Sequence, residues 1–128
     1  MELPTDAMLL RIFFGENDRH EGRPLYDVIV KEARKQQMAG ATVLRGPMGY
    51  GHSSRVHRAN FLEISEDLPI VIEIVDTLEK INAFLPIVDG MMLSGLVTLE
   101  KVQVLCYGVG NKRRQKKEPV PVERRKKL

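Results

Sequence analysis

At 128 residues, 43% hydrophobic but only 5% aromatic and without tryptophan, the chain is sized for one domain with a modest aliphatic core. A single cysteine, Cys106, excludes an intrachain disulfide, and no apolar run reaches the roughly 20 residues of a membrane span. The formal net charge of +3 is unevenly placed: residues 111–128 hold nine Lys/Arg and two acids, net +7, and residues 1–110 hold eleven basic and fifteen acidic side chains, net −4.

The first six residues are acidic and lack the apolar core of a signal peptide, which with the lone cysteine sets the expectation of a cytoplasmic protein without membrane insertion. Residues 7–14, Ala-Met-Leu-Leu-Arg-Ile-Phe-Phe, predict a buried strand with one charge, Arg11. A charge in an apolar strand is ordinarily paired, and Glu73 is the expected partner, a bound anion being the alternative. A polar loop, 15–23, leads to Pro24 as the first residue of a helix. Leu25, Val28, Ile29 and Ala33 fall at helical spacing, and the helix should stop near Met38 with Gly40 beyond it.

Residues 41–45 predict a second strand, running into a loop with Gly46, Gly49 and Gly51; Phe61, Leu62 and Ile64 suggest that a strand resumes beyond it. Pro69 opens a third strand, Ile-Val-Ile-Glu-Ile-Val. Asp76 and Glu79 have the spacing of a capping box before an amphipathic helix carrying Leu78, Ile81, Phe84, Leu85 and Val88, which Pro86 should kink or end. Val97 and Leu99 are out of phase with Val102, Val104 and Cys106, so a bulge is expected near Glu100, with a last strand over 101–107. The order is the βαββαβ pattern of the ferredoxin-like α+β sandwich. Two helices cover one face of such a sheet, yet residues 70–75 are apolar at both phases except for Glu73, so a second chain should cover the other face. The domain is placed at 1–110. The tail, 111–128, with Pro119, Pro121 and little to bury, reads as disordered.

The segment from Gly40 to His57 concentrates ligand-capable groups. Glycines allow close backbone approach, and backbone amides, hydroxyls and arginines together suit an anion. The candidate ligand-binding residues are Arg45, Gly46, Gly49, Tyr50, Gly51, His52, Ser53, Arg55 and His57. The spacing is not that of a phosphate-binding P-loop, because no Gly-Lys-Ser/Thr ends it. The bland alternative is a flexible connection whose arginines are solvated or paired across subunits.

Several segments together resemble a PII-like family of small prokaryotic proteins, the one labelled domain of unknown function 190. They are Gly15-Glu16-Asn17-Asp18, Pro24-Leu25-Tyr26-Asp27-Val28-Ile29-Val30, Gly40-Ala41-Thr42-Val43-Leu44-Arg45-Gly46, Gly49-Tyr50-Gly51, Leu68-Pro69-Ile70-Val71-Ile72-Glu73 and Gly95-Leu96-Val97-Thr98-Leu99-Glu100-Lys101-Val102. The resemblance spans about residues 7–108. It implies a homotrimer of ferredoxin-like units, similar to PII signalling proteins, with nucleotide bound in clefts between subunits near the base of the loop after the second strand. Arg45 to His57 would belong to that loop and its base. The chain has no clear copy of the adenylate-contacting or modification motifs of true PII proteins.

The expectation is therefore a non-enzymatic regulator that binds AMP, ADP, ATP or a similar phosphorylated small molecule, with a mobile loop at about 46–58 signalling to an unknown protein partner. One alternative is a metal-binding trimer using His52 and His57, although two histidines fall short of the three or four ligands of a good site. Another is a small enzyme working through Glu16 or His57; no nucleophile motif such as Gly-x-Ser-x-Gly is present. The tail has the charge for weak non-specific nucleic-acid binding but no aromatic residue to stack on bases.

Overall fold

The computed structural model describes residues 5–51 and 67–108. The boundary at 110, the basic tail and the strand expected around Phe61–Ile64 lie outside the described residues.

A four-stranded antiparallel sheet is built from β1 (Asp6–Gly15), β4 (Thr42–Arg45), β5 (Pro69–Asp76) and β6 (Leu96–Gln103), in the order β4-β5-β1-β6. Two helices, α1 (Leu25–Lys35) and α2 (Leu78–Met91), connect it, and a two-residue ribbon, β2 (Arg19–His20) with β3 (Arg23–Pro24), precedes α1. This is the split βαβ arrangement expected of a ferredoxin-like sandwich. Among the described residues no helix is long and apolar enough to cross a membrane.

Alternation decides which side chains reach the core. Leu10, Ile12 and Phe14 of β1 and Ile70, Ile72 and Ile74 of β5 are buried on one face, beneath Leu25, Ile29 and Ala33 of α1 and Ile81, Phe84 and Val88 of α2. Leu25, Val28, Ile29 and Ala33 form one stripe of α1 because three- and four-residue steps return to the same side of a helix. At about 25 cal/mol per Å² of apolar surface removed from water, these side chains supply the main stabilising term.

The sheet's other face has no helix over it among the described residues. It presents Leu9, Arg11 and Phe13 of β1 and Val71, Glu73 and Val75 of β5, all half-buried. The register sets Arg11 opposite Glu73, and the expected pair forms: Arg11 Nε lies 2.9 Å from Glu73 Oε2. A second carboxylate, Glu100 on β6, takes Arg11 Nη1 at 2.5 Å.

Several local expectations are corrected. β6 pairs with β1 without a bulge from Leu96 to Gln103. Val97 and Leu99 lie opposite Ile12 and Leu10, towards the helices, whereas Val102 lies opposite Ala7; the change of phase is a change of face on an edge strand. The strand ends at Gln103, and residues 104–107 leave the ladder. The cap of α2 is one residue later than the Asp76 spacing suggests: Thr77 accepts from Lys80 N at 3.2 Å. Pro86 does not end α2, which continues to Met91. Its missing N–H frees the carbonyl of Asn82, and both residues are exposed, so water can serve that carbonyl. Pro24 is the N-cap of α1 with φ −55° and ψ 130°, and α1 stops at Lys35, with Gln37 at φ 60° turning the chain.

Candidate functional site

The root of the segment after β4 is tied on both sides. Gly46 N donates to Pro69 O at 2.8 Å and Glu16 N to Leu68 O at 2.8 Å. Asp67, buried, accepts from Asn17 N at 2.9 Å. Arg45 closes the same root: its Nη2 lies 2.6 Å from Glu16 Oε2. Arg45 stands opposite Ile70, so it lies on the helix side of the sheet, and its charge is matched within the subunit. Gly46 and Gly49 press against Pro69; a Cβ on Gly46 would come within 2.8 Å of Pro69 Cγ, and one on Gly49, at φ 154°, within 3.1 Å. Gly51 has open space around it, and Tyr50 is exposed. His52, Ser53, Arg55 and His57 lie outside the described residues.

A cleft lies elsewhere, on the uncovered face at the other end of β4. It has a volume of about 600 Å³, within the range of ligand pockets. Leu9, Arg11, Glu73 and Val75 form its floor, Ala39–Thr42 one wall, and Val104–Tyr107 the other. Small residues at 39–42 keep the backbone open to the space. Hydrogen bonds fix that wall. Ala39 N donates to Asp76 Oδ2 at 2.8 Å, Tyr107 Oη donates to Ala39 O at 2.6 Å, and Lys80 Nζ donates to Gln37 O. Asp76 is fully buried and also accepts from Thr77 N at 2.7 Å, so the end of β5, the start of α2 and the cleft wall share one carboxylate.

The electrostatics of the cleft are unusual for an anion site. The hydrogen bonds to Glu73 first and Glu100 second hold the Arg11 guanidinium above its ordinary range, so it is firmly a cation committed to two carboxylates. The cleft therefore offers a floor of Leu9 and Val75 beside the Arg11–Glu73 ion pair, edged by backbone amides, the Thr42 hydroxyl and the Tyr107 phenol: a place for a flat, hydrogen-bonding group more than for phosphate. Among the described residues no cluster of three or more His, Cys, Asp or Glu could hold a metal ion.

Sequence reasoning found Arg11–Glu73 but not the cleft. The structure brings Arg45 to Glu16 rather than to the cleft, and sets Gly46 and Gly49 against Pro69. The signal that could have pointed to the cleft was the run of small residues Ala39-Gly40-Ala41 directly before a strand.

The fold defines the class: a ferredoxin-like α+β protein. A solved structure described as CPII bound to ADP, AMP and acetate, from Thiomonas intermedia K12, matches with a TM-score of 0.50 and 18% identity, covering 77% of this chain and 88% of that one. The family model DUF190, Uncharacterized ACR, matches residues 7–104, and the chain belongs to that family. A UPF0166 protein of Aquifex aeolicus is 39% identical over 97 residues, which is 76% of this chain and 91% of that protein. One from Methanocaldococcus jannaschii is 34% identical over 99 residues, 77% and 91% of the two chains.

Proposed function

We propose that the protein is a PII-like regulator that assembles as a homotrimer through the uncovered sheet face and binds an adenine nucleotide, AMP, ADP or ATP, at the subunit boundary. The observation that carries the reading is the cleft itself, which opens onto the one face of the sheet that its own helices leave bare. A nucleobase suits the aliphatic part of its floor, Leu9 and Val75, and its hydrogen-bonding walls. The phosphates then run along β4 towards the segment that starts at Gly46, about 13 Å from Thr42 at ~3.3 Å per residue. In sequence that segment carries the candidate ligand residues Gly49, Gly51, His52, Ser53, Arg55 and His57, with amides, a hydroxyl and cationic groups. The fold neighbour described as bound to ADP and AMP supports this ligand class.

The trimer rests on burial. Leu9, Phe13, Val71 and Val75 form an apolar surface that a lone subunit would leave against water. Ligand binding would order the 46–58 segment, and the ordered segment would contact a partner protein, turning occupancy into a signal. Light scattering on a sizing column and calorimetry with AMP, ADP and ATP test the reading together. A trimer with saturable heat from at least one nucleotide is expected. A stable monomer at micromolar concentration, or no heat up to millimolar nucleotide, overturns it.

A further inference from the structure

The segment 104–107 is more than the end of a strand. It leaves β6 after Gln103 and crosses the bare face to the far edge of the sheet, where Tyr107 Oη donates to Ala39 O at 2.6 Å. The chain bends at Leu105, and the Tyr107 side chain spans the last part of the way to Ala39, so the segment is a strap held at its far end by a side chain and at its near end by Val104 N donating to Thr5 O at 2.6 Å. Beneath it lies the cleft, and all four strap residues line that space.

We propose that 104–107 is a lid on the cleft and that the Tyr107–Ala39 hydrogen bond is its latch. The inference rests on reading the cleft as the ligand site and adds how access to it is controlled. A strap held at its two ends and out of the sheet ladder opens at far lower cost than the sheet unfolds. The latch occupies Ala39 O, a carbonyl of the cleft wall. A ligand with an exocyclic amine can take that carbonyl from Tyr107, so entry and unlatching exchange one hydrogen bond for another. The wall on the other side of the bond does not yield, because Ala39 N is held by the buried Asp76. The moving part is thus the strap.

The cysteine in the strap reports on opening. Cys106 is half-buried, lines the cleft and is the chain's one thiol, so its reaction with an aromatic disulfide reagent follows a single site. Removing a hydrogen bond of ordinary net strength in Tyr107→Phe should speed labelling of the full-length protein about fivefold. Amide exchange should rise over 104–108 and stay unchanged in β1. An unchanged labelling rate overturns the lid, as does a rise in exchange that includes β1 to the same extent, since that would be general loosening. Adding ADP should slow labelling of the native protein. ADP without effect on labelling, alongside the expected response of Tyr107→Phe, counts against the nucleotide and leaves the lid standing.

Discussion

Replacing Asp76 with alanine should cost the fold more than any other single polar change among the described residues. The carboxylate is 0% exposed, accepts from Ala39 N at 2.8 Å and Thr77 N at 2.7 Å, and lies 3.8 Å from Lys80 Nζ. Alanine removes the acceptor and leaves two backbone N–H groups without a partner in a site closed to water. An orphaned buried donor costs about 1–3 kcal/mol, so a loss of about 3 kcal/mol is the central expectation. For a domain of this size that corresponds to a fall in melting temperature of about 12–24 °C. Asp76→Asn keeps one acceptor oxygen and turns an amide NH2 towards the other donor, so it should fall between the two. Urea denaturation followed by circular dichroism measures both. Melting of Asp76→Ala within about 2 °C of the native protein would refute the reasoning, because it would mean that water reaches the two amides.

Three further outcomes are expected. Gly95→Ala should destabilise by about 2–4 kcal/mol in the same assay: the residue sits at φ 144° and an added Cβ would lie 2.5 Å from the Phe13 carbonyl oxygen, which β1 holds in place. Arg11→Met should weaken the proposed trimer in light scattering while leaving the circular dichroism spectrum intact, since Glu73 and Glu100 would then be left uncompensated on the face proposed to assemble, and Arg11→Met with Glu73→Leu should recover part of the loss. Deleting 111–128 should leave melting temperature and nucleotide affinity nearly unchanged and abolish a salt-sensitive retention on heparin, because +7 per subunit goes with the tail.

What could be read in advance follows from the range of the interactions involved. The strands at β1 and β5 and the stripe of α1 were legible because each writes its periodicity into consecutive residues. Arg11 announced a partner because a charge stood alone in an apolar run. Its second partner, Glu100, was hidden, since only the register of β6 against β1 brings the two together. Val104 to Cys106 continue an alternating pattern, so the sequence suggests a strand where the chain in fact lifts away to cross the sheet. The cleft escaped notice for the same reason: its lining comes from the ends of four strands and the strap, with no contiguous motif. Arg45 looked like a free cation for phosphate because Glu16, its neighbour in space, lies 29 positions earlier in the numbering.

The strand order also sets a timetable for synthesis. β1 is made first, yet both its neighbours come late: Arg11 waits 62 residues for Glu73 and 89 for Glu100. At ~5–20 residues per second, an apolar strand that will end at the centre of the sheet stays unpaired for about 3–12 s before β5 is made, and longer before β6 follows. Contacts of such long range also slow folding once the chain is free, because the entropy of closing large loops is lost before any ladder forms. The nascent chain therefore passes through an interval in which α1 is the cover at hand for Leu10, Ile12 and Phe14, and β1 is at its most exposed to aggregation or to capture by a chaperone.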